Sequence, residues 1–343
     1  MKNTFISSIL FIFFVLPLRA EVTGFYLWQP LQSGPRILIP KVSNKTKVEI
    51  EDQIIKSTTL KDAKDIKRDR LTISKHIKLT AIVTNRPGQM NGHEEIVKIV
   101  HSELSKHNTQ MMIIPVGLEK LLSNSELKTF HDFIVKKSSA LVLLGGADIH
   151  PSLYGEKING ARDLNRQRDI VELSLLNNFL KNSNGIVVGF CRGNQLLGVS
   201  QGAKLIQDIP TRFNLDNPSL HSPSSEHAND RARQSSYHQV TLEKDSLLER
   251  IFKTKIIEVN SRHHQSIDFS SIKSDSTIRV TAVESSNNIV EAIELKNGRG
   301  FGFQFHPEDM QTNESREILS KVFSKKGRSF LKLHKLNCAK IFL

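Results

Sequence analysis

A chain of 343 residues exceeds what one α/β domain needs, so it can bury a large core and still carry segments outside it. Two cysteines and scattered histidines exclude a disulfide framework and give no zinc-ligand spacing. The formal net charge of +13 lies largely outside the patterned middle, and no aromatic–basic platform accompanies it. A nucleic-acid partner is therefore not expected. The charge suits a soluble basic surface, or weak attachment to an anionic one such as lipid headgroups or cell-wall polymers.

Residues 1–20 read as a secretory signal: Lys2 supplies the positive end, Ile6 to Leu18 form the apolar run, and Leu18-Arg19-Ala20 form an imperfect cleavage site. The run of about 13 residues is short of the ~20 that span a bilayer, and the alternative is an uncleaved anchor. An exported location, periplasmic or secreted, is expected. Residues 21–77 form a polar extension with short strands at Tyr26-Leu27-Trp28 and Ile37-Leu38-Ile39, then a charged linker.

A patterned domain follows over residues 78–325. It opens with a strand at 79–83, a turn at Asn85-Arg86-Pro87-Gly88 and a helix over 94–107. A strand at 111–116 comes next, then an amphipathic helix marked by Leu127, Phe130, Phe133 and Ile134. Strand 140–144, helix 167–182, strand 185–190 and helix 192–201 complete an alternation that predicts a parallel sheet with helices on both faces. Strands are then expected at 240–242, 255–260, 277–283, 290–295 and 300–305, with a hairpin turn at Lys296-Asn297-Gly298. A helix over 315–325 closes the domain, and residues 326–343 form a basic tail.

Three motifs carry chemistry. Gly189-Phe190-Cys191-Arg192-Gly193-Asn194 lies between an apolar strand and a helix. Cys191 there stands over a helix N-terminus, whose dipole, with neighbouring Arg192, favours an anion. The flanking glycines allow a sharp turn and close approach of a substrate carbonyl, and the N–H after the cysteine can face a developing oxyanion. His306-Pro307-Glu308 supplies a base and, two residues on, a carboxylate to orient it. The apolar strand ending in Gly145-Gly146-Ala147-Asp148-Ile149-His150-Pro151 suits a second oxyanion N–H on another loop.

These residues resemble the class I glutamine amidotransferase superfamily, and within it the peptidase C26, γ-glutamyl-γ-aminobutyrate hydrolase-like branch. Arg168-Asp169-Ile170-Val171-Glu172 also matches that branch. So does Val259-Asn260-Ser261-Arg262-His263-His264-Gln265-Ser266, where the branch carries an Asn-Ser-x-His-x-Gln pattern. The resemblance implies an α/β fold with a central, mostly parallel sheet flanked by helices and an added antiparallel strand region. It implies Cys191 as nucleophile, His306 as general base and acid, and Glu308 as the third triad member. The N–H groups of Gly146 and Arg192 would form the oxyanion hole, with Gln195 and His263 as substrate-binding positions. No metal or organic cofactor is implied. With Cys191 as nucleophile, both it and Cys338 are expected to be free thiols.

Three departures stand out. His150 replaces a small polar residue, the polar stretch Phe213 to Ser236 is long, and residues 21–77 have no family counterpart. The expected function is an exported cysteine hydrolase cleaving γ-glutamyl amide bonds of a small-molecule substrate. The alternatives are a glutaminase-type subunit supplying ammonia to a partner, and a catalytically silent binding protein on the same fold.

Overall fold

The computed structural model describes residues 22–28, 37–42, 78–84, 109–115, 123–215, 236–310 and 312–323. The expected signal segment, the helix over 94–107, residues 216–235 of the long polar stretch, Cys338 and the basic tail lie outside these residues. In the extension, β1 (Val22–Trp28) pairs antiparallel with β2 (Ile37–Val42) in a sheet of their own.

A nine-stranded sheet organises the rest. Its strands are β3 (Lys78–Thr84), β4 (Thr109–Pro115), β5 (Ser138–Leu143), β6 (Ile186–Phe190), β8 (Ser236–Leu242), β9 (Ile256–Ser261), β11 (Ile278–Glu284), β12 (Ile289–Leu295) and β13 (Gly300–Phe303). The spatial order is β4-β3-β5-β6-β13-β12-β11-β8-β9. Pairing is parallel from β4 through β13 and antiparallel from β13 through β9. The antiparallel region is therefore a continuation of the same sheet. A small separate ladder joins β7 (Leu205–Ile206) to β10 (Ser266–Ile267).

Side-chain alternation explains why the central strands read as unbroken apolar runs. Leu141, Leu143 and Val187 point to one face, where they meet Phe130 and Ile134 of α1 (Asn124–Lys137). Leu175, Leu176 and Phe179 of α2 (Arg166–Asn182) and Leu196 and Leu197 of α3 (Arg192–Ser200) pack on the same face. Val142, Leu144, Val188 and Phe190 point to the other, against α5 (Leu247–Phe252) and α7 (Asn313–Phe323). A strand buried on both faces has no polar positions to spare.

Local chemistry fixes the element ends. Ser123 and Glu126 form a reciprocal capping box that starts α1, and Asn165 caps α2 through the Arg168 N–H. Gly298, at φ 68°, turns β12 into β13 and donates its N–H to the Leu295 carbonyl at 2.7 Å. Short helices α4 (Ile209–Phe213) and α6 (Pro307–Met310) complete the set. Pro307 is the first residue of α6, a position where a missing N–H costs nothing.

The last strand of the sheet in sequence is the one that matters for position. β13 inserts between β6 and β12, and its parallel register with β6 sets Phe303 against Phe190. β5 lies on the other side of β6, with Leu143 against Gly189. The segments after Leu143, Phe190 and Phe303 therefore emerge side by side at one end of the sheet, where open α/β sheets place their ligands.

Candidate active site

Cys191 is the first residue past β6 and immediately precedes α3. Its backbone sits at φ 51°, ψ −109°, a conformation L-residues rarely adopt. Its N–H donates to the Phe303 carbonyl at 2.7 Å, which ties the elbow to β13. The strained turn falls on the cysteine itself, and the flanking glycines serve a different need from the expected turning. A Cβ on Gly189 would stand 2.3 Å from the Gly193 carbonyl oxygen, and one on Gly193 would stand 2.2 Å from the Leu143 carbonyl oxygen. Both positions exclude any side chain because β6, the first turn of α3 and the end of β5 touch backbone to backbone. A Cβ on Gly302 would stand 2.1 Å from the side-chain oxygen of buried Asn194, so β13 packs against a side chain of the same helix.

His306 reaches this elbow from the segment after β13. Its Nδ1 lies 2.8 Å from Oε1 of Glu308, and Cys191 stands near enough to act on the charge of the ring. With Nδ1 engaged by the carboxylate, Nε2 is the nitrogen that can face the thiol. Burial works against the imidazolium, but Glu308 and Cys191 outweigh it and raise the His306 pKa to about 10. Asn260, at the end of β9, holds the histidine backbone from both sides. Its Nδ2 donates to the His306 carbonyl at 2.9 Å, and its Oδ1 accepts the His306 N–H at 2.8 Å. β9 is the far edge of the antiparallel region, so the sheet curls until that edge meets the segment after β13.

The Gly145–Pro151 segment follows β5 beside the elbow. Gly146 is exposed, with φ 142°, while Gly145 is buried. The Arg192 N–H stands at the first position of α3, where no intrahelical carbonyl faces it. The Arg192 side chain corrects one expectation. It does not sit beside the thiol but turns into the protein, 1% exposed, and pairs with Asp169 at 2.5 Å and with Glu172. Glu172 also accepts from Arg168 Nε at 2.8 Å. Burial alone would raise the Glu172 carboxyl, yet Arg192 and Arg168 hold it below the usual carboxylate range.

The two expected substrate-binding side chains lie inside. Gln195 is 3% exposed, and both hydrogens of its amide are taken by the Gln265 carbonyl at 3.1 Å and Gln304 Oε1 at 3.3 Å. His263 is buried, its Nδ1 2.9 Å from the Gln265 carbonyl and its Nε2 3.4 Å from Glu291. Glu291, also near His238 at 3.3 Å, is fully buried. Desolvation opposes its charge, but the two histidines lower its pKa to about 2. A core site is therefore the reason His263 offers little to a substrate.

Its neighbour His264 takes the more open position. Its Nε2 lies 3.0 Å from Asp148 and its Nδ1 3.0 Å from Asp208, joining the Gly145–Pro151 segment to the start of α4. His150 caps the short 3₁₀ turn Pro151–Tyr154, accepting the Ser152 N–H at 3.2 Å. His306, Glu308 and Asp309 bring ligand atoms within 4.8 Å of one another. Asp309 is paired with Arg262, and Glu308 with His306, so those donors are already engaged.

Asn260 is the site residue that sequence reasoning passed over. It lay in a segment that matched the family, but nothing in its spacing showed a grip on the His306 backbone.

Comparison with known proteins identifies the family of the chain. The peptidase C26 family model matches residues 79–308. Protein NtpR of Enterococcus hirae is 34% identical over 204 residues, covering 59% of this chain and 79% of that protein. The "Putative glutamine amidotransferase-like protein YvdE" of Lactococcus lactis subsp. lactis is 35% identical over 187 residues, 53% of this chain and 70% of that protein. A solved glutaminase domain of Trypanosoma brucei CTPS with bound acivicin superposes with a TM-score of 0.46 at 16% identity, over 72% of this chain and 94% of that one. With the family pattern running from β3 to the His306–Glu308 pair, this chain belongs to the peptidase C26 family and is a glutamine amidotransferase-like hydrolase.

Proposed function

We propose that the chain is an exported cysteine hydrolase that cleaves γ-glutamyl amide bonds through a γ-glutamyl thioester. The observation that carries the reading is the convergence of Cys191 with the paired His306 and Glu308 at the ends of adjacent parallel strands. Each member meets a chemical need. Cys191, held in a strained elbow at a helix N-terminus, presents sulfur to a carbonyl. His306 holds a proton next to that sulfur, and Glu308 fixes the imidazole tautomer.

In the first half-reaction the Cys191 sulfur bonds to the γ-carbonyl carbon. The carbonyl oxygen becomes an oxyanion facing the N–H groups of Gly146 and Arg192. As the C–N bond breaks, the imidazolium of His306 gives its proton to the departing amine. In the second, His306 takes a proton from water, whose oxygen attacks the thioester carbonyl. The C–S bond breaks, glutamate leaves, and the sulfur and the imidazolium return to their starting state.

Export rests on Lys2 followed by the apolar run to Leu18. Sequencing of mature protein from an exported fraction should then begin near Glu21, and a cytoplasmic chain beginning at Met1 contradicts it. The chemistry has its own test. Rapid acid quench during turnover of a γ-glutamyl amide should yield a Cys191 peptide heavier by one γ-glutamyl group. Absence of any adduct on Cys191, with turnover intact, overturns the thioester route.

A further inference from the structure

We propose that Asp169 and Arg168, in the first turn of α2, are positioning residues that hold both oxyanion N–H donors in place from behind. The proposal rests on the acyl-transfer reading of the site above. Both residues are buried. They act through the two backbone segments that carry those donors.

The two donors belong to different parts of the chain, so something must hold them in register. Asp169 spans them directly. Its Oδ2 accepts the His150 N–H at 2.9 Å, in the segment that carries Gly146. Its Oδ1 accepts from Arg192 at 2.5 Å, the residue whose own backbone N–H is the other donor. One carboxylate thus bridges the loop after β5 and the first turn of α3.

Arg168 sets the direction of a peptide plane. Its Nη2 reaches the Gly145 carbonyl at 3.5 Å, on the buried side of the loop. The described peptide bonds are all trans, and a trans peptide points its carbonyl and the following N–H in opposite directions. Holding the Gly145 oxygen inward therefore turns the Gly146 N–H outward, where Gly146 is exposed. At φ 142°, Gly146 has the freedom to flip, so an external hold is needed.

Helical spacing puts the parts together. Residues four apart share a face, so Arg168 and Glu172 pair, and Glu172 passes the constraint to Arg192. Asp169 lies in the first turn, where the helix dipole favours its negative charge. The charges are all buried and mutually paired, so removing one partner shifts the others.

Two reagents separate hole from nucleophile. Acylation of Cys191 by p-nitrophenyl acetate passes through a tetrahedral oxyanion, whereas alkylation by iodoacetamide does not. In Asp169→Asn and in Arg168→Gln, acylation and kcat on a γ-glutamyl amide should fall about 10- to 100-fold. KM and the alkylation rate should stay within about twofold. Acylation within twofold of the parent in either folded variant overturns the proposal. So does a parallel fall in alkylation, which would place the damage at the thiol. Failure of both variants to fold also overturns it, since the cluster would then hold the fold rather than the hole. A parent enzyme that is acylated by the ester but ignores γ-glutamyl amides would instead reject the substrate reading and leave this test readable.

Discussion

Asn260 and His306 are joined by a reciprocal pair of hydrogen bonds, side-chain amide to backbone, at 2.8 and 2.9 Å. The pair closes the curl of the sheet on the residue that faces Cys191. Cutting the Asn260 side chain leaves the His306 N–H without that acceptor, while the His306 carbonyl keeps the Asp309 N–H at 3.1 Å. Asn260→Ala should therefore cost about 1–3 kcal/mol of stability. It should also lower kcat more than it changes KM, read by denaturant unfolding and steady-state kinetics. Unchanged kcat in a folded variant would mean that His306 is held by other contacts.

Gly193 offers a steric test of the elbow. A methyl group there meets the Leu143 carbonyl oxygen, which is backbone in a central strand and cannot swing away. Gly193→Ala should cost about 3 kcal/mol or more, or abolish folding. Gly202→Ala is the control for lost chain freedom, since a Cβ there meets nothing within 4 Å, although its φ of 87° carries some strain. If thermal unfolding finds Gly193→Ala as stable as the parent, the close packing of β5, β6 and α3 is wrong.

Much of this arrangement was legible in the sequence, and the remainder failed for physical reasons. The elbow, the His306–Glu308 pair and the β/α alternation from α1 to α3 are local patterns, and the structure places them where the spacing predicts. β8 was expected only at 240–242 but begins at Ser236. Its inward residue at 238 is a histidine paired with Glu291, so an apolar-periodicity reading misses it. β13 ends at Phe303, not 305: one more ladder bond, Gln304 N–H to the Glu291 carbonyl, follows before the chain bends toward His306. Adjacent His263 and His264 look equivalent in sequence, yet one is buried against Glu291 and the other bridges Asp148 and Asp208. Arg192 read as a charge beside the thiol because sequence neighbours are near in space. Its partners Asp169 and Glu172 lie a helix away, and only the fold brings them in.

The three chemical roles predict unequal losses. Cys191→Ala should remove turnover and His306→Ala nearly so. Glu308→Ala should retain more, since an orienting group costs less to lose than the nucleophile or base. Iodoacetamide should label Cys191 faster than Cys338 near neutral pH and abolish hydrolysis. Full activity in the His306 variant would remove it from the mechanism.

His306 also ties stability to pH. Its pKa rises from 6.5 to about 10 on folding, so the folded state holds a proton that the unfolded state has released. Its contribution is complete below about 6.5, declines as pH rises through that window, and is gone above about 10. The stability difference between the parent and His306→Ala, followed by denaturant unfolding, should shrink over that range. A difference that grows with pH contradicts the raised value. Turnover should fall above about 10 as the proton for the departing amine is lost.

The most direct measurement compares substrates on the purified chain alone. A hydrolase of γ-glutamyl amides must admit a leaving group larger than ammonia and let water complete the reaction. Kinetics across γ-glutamyl amines, glutamine and α-linked glutamyl peptides should give the highest kcat/KM for the γ-glutamyl amines, with release of glutamate and free amine. The α-linked peptides should be poor substrates. Hydrolysis of glutamine alone, and only once a partner protein is added, would contradict the account and identify an ammonia donor instead.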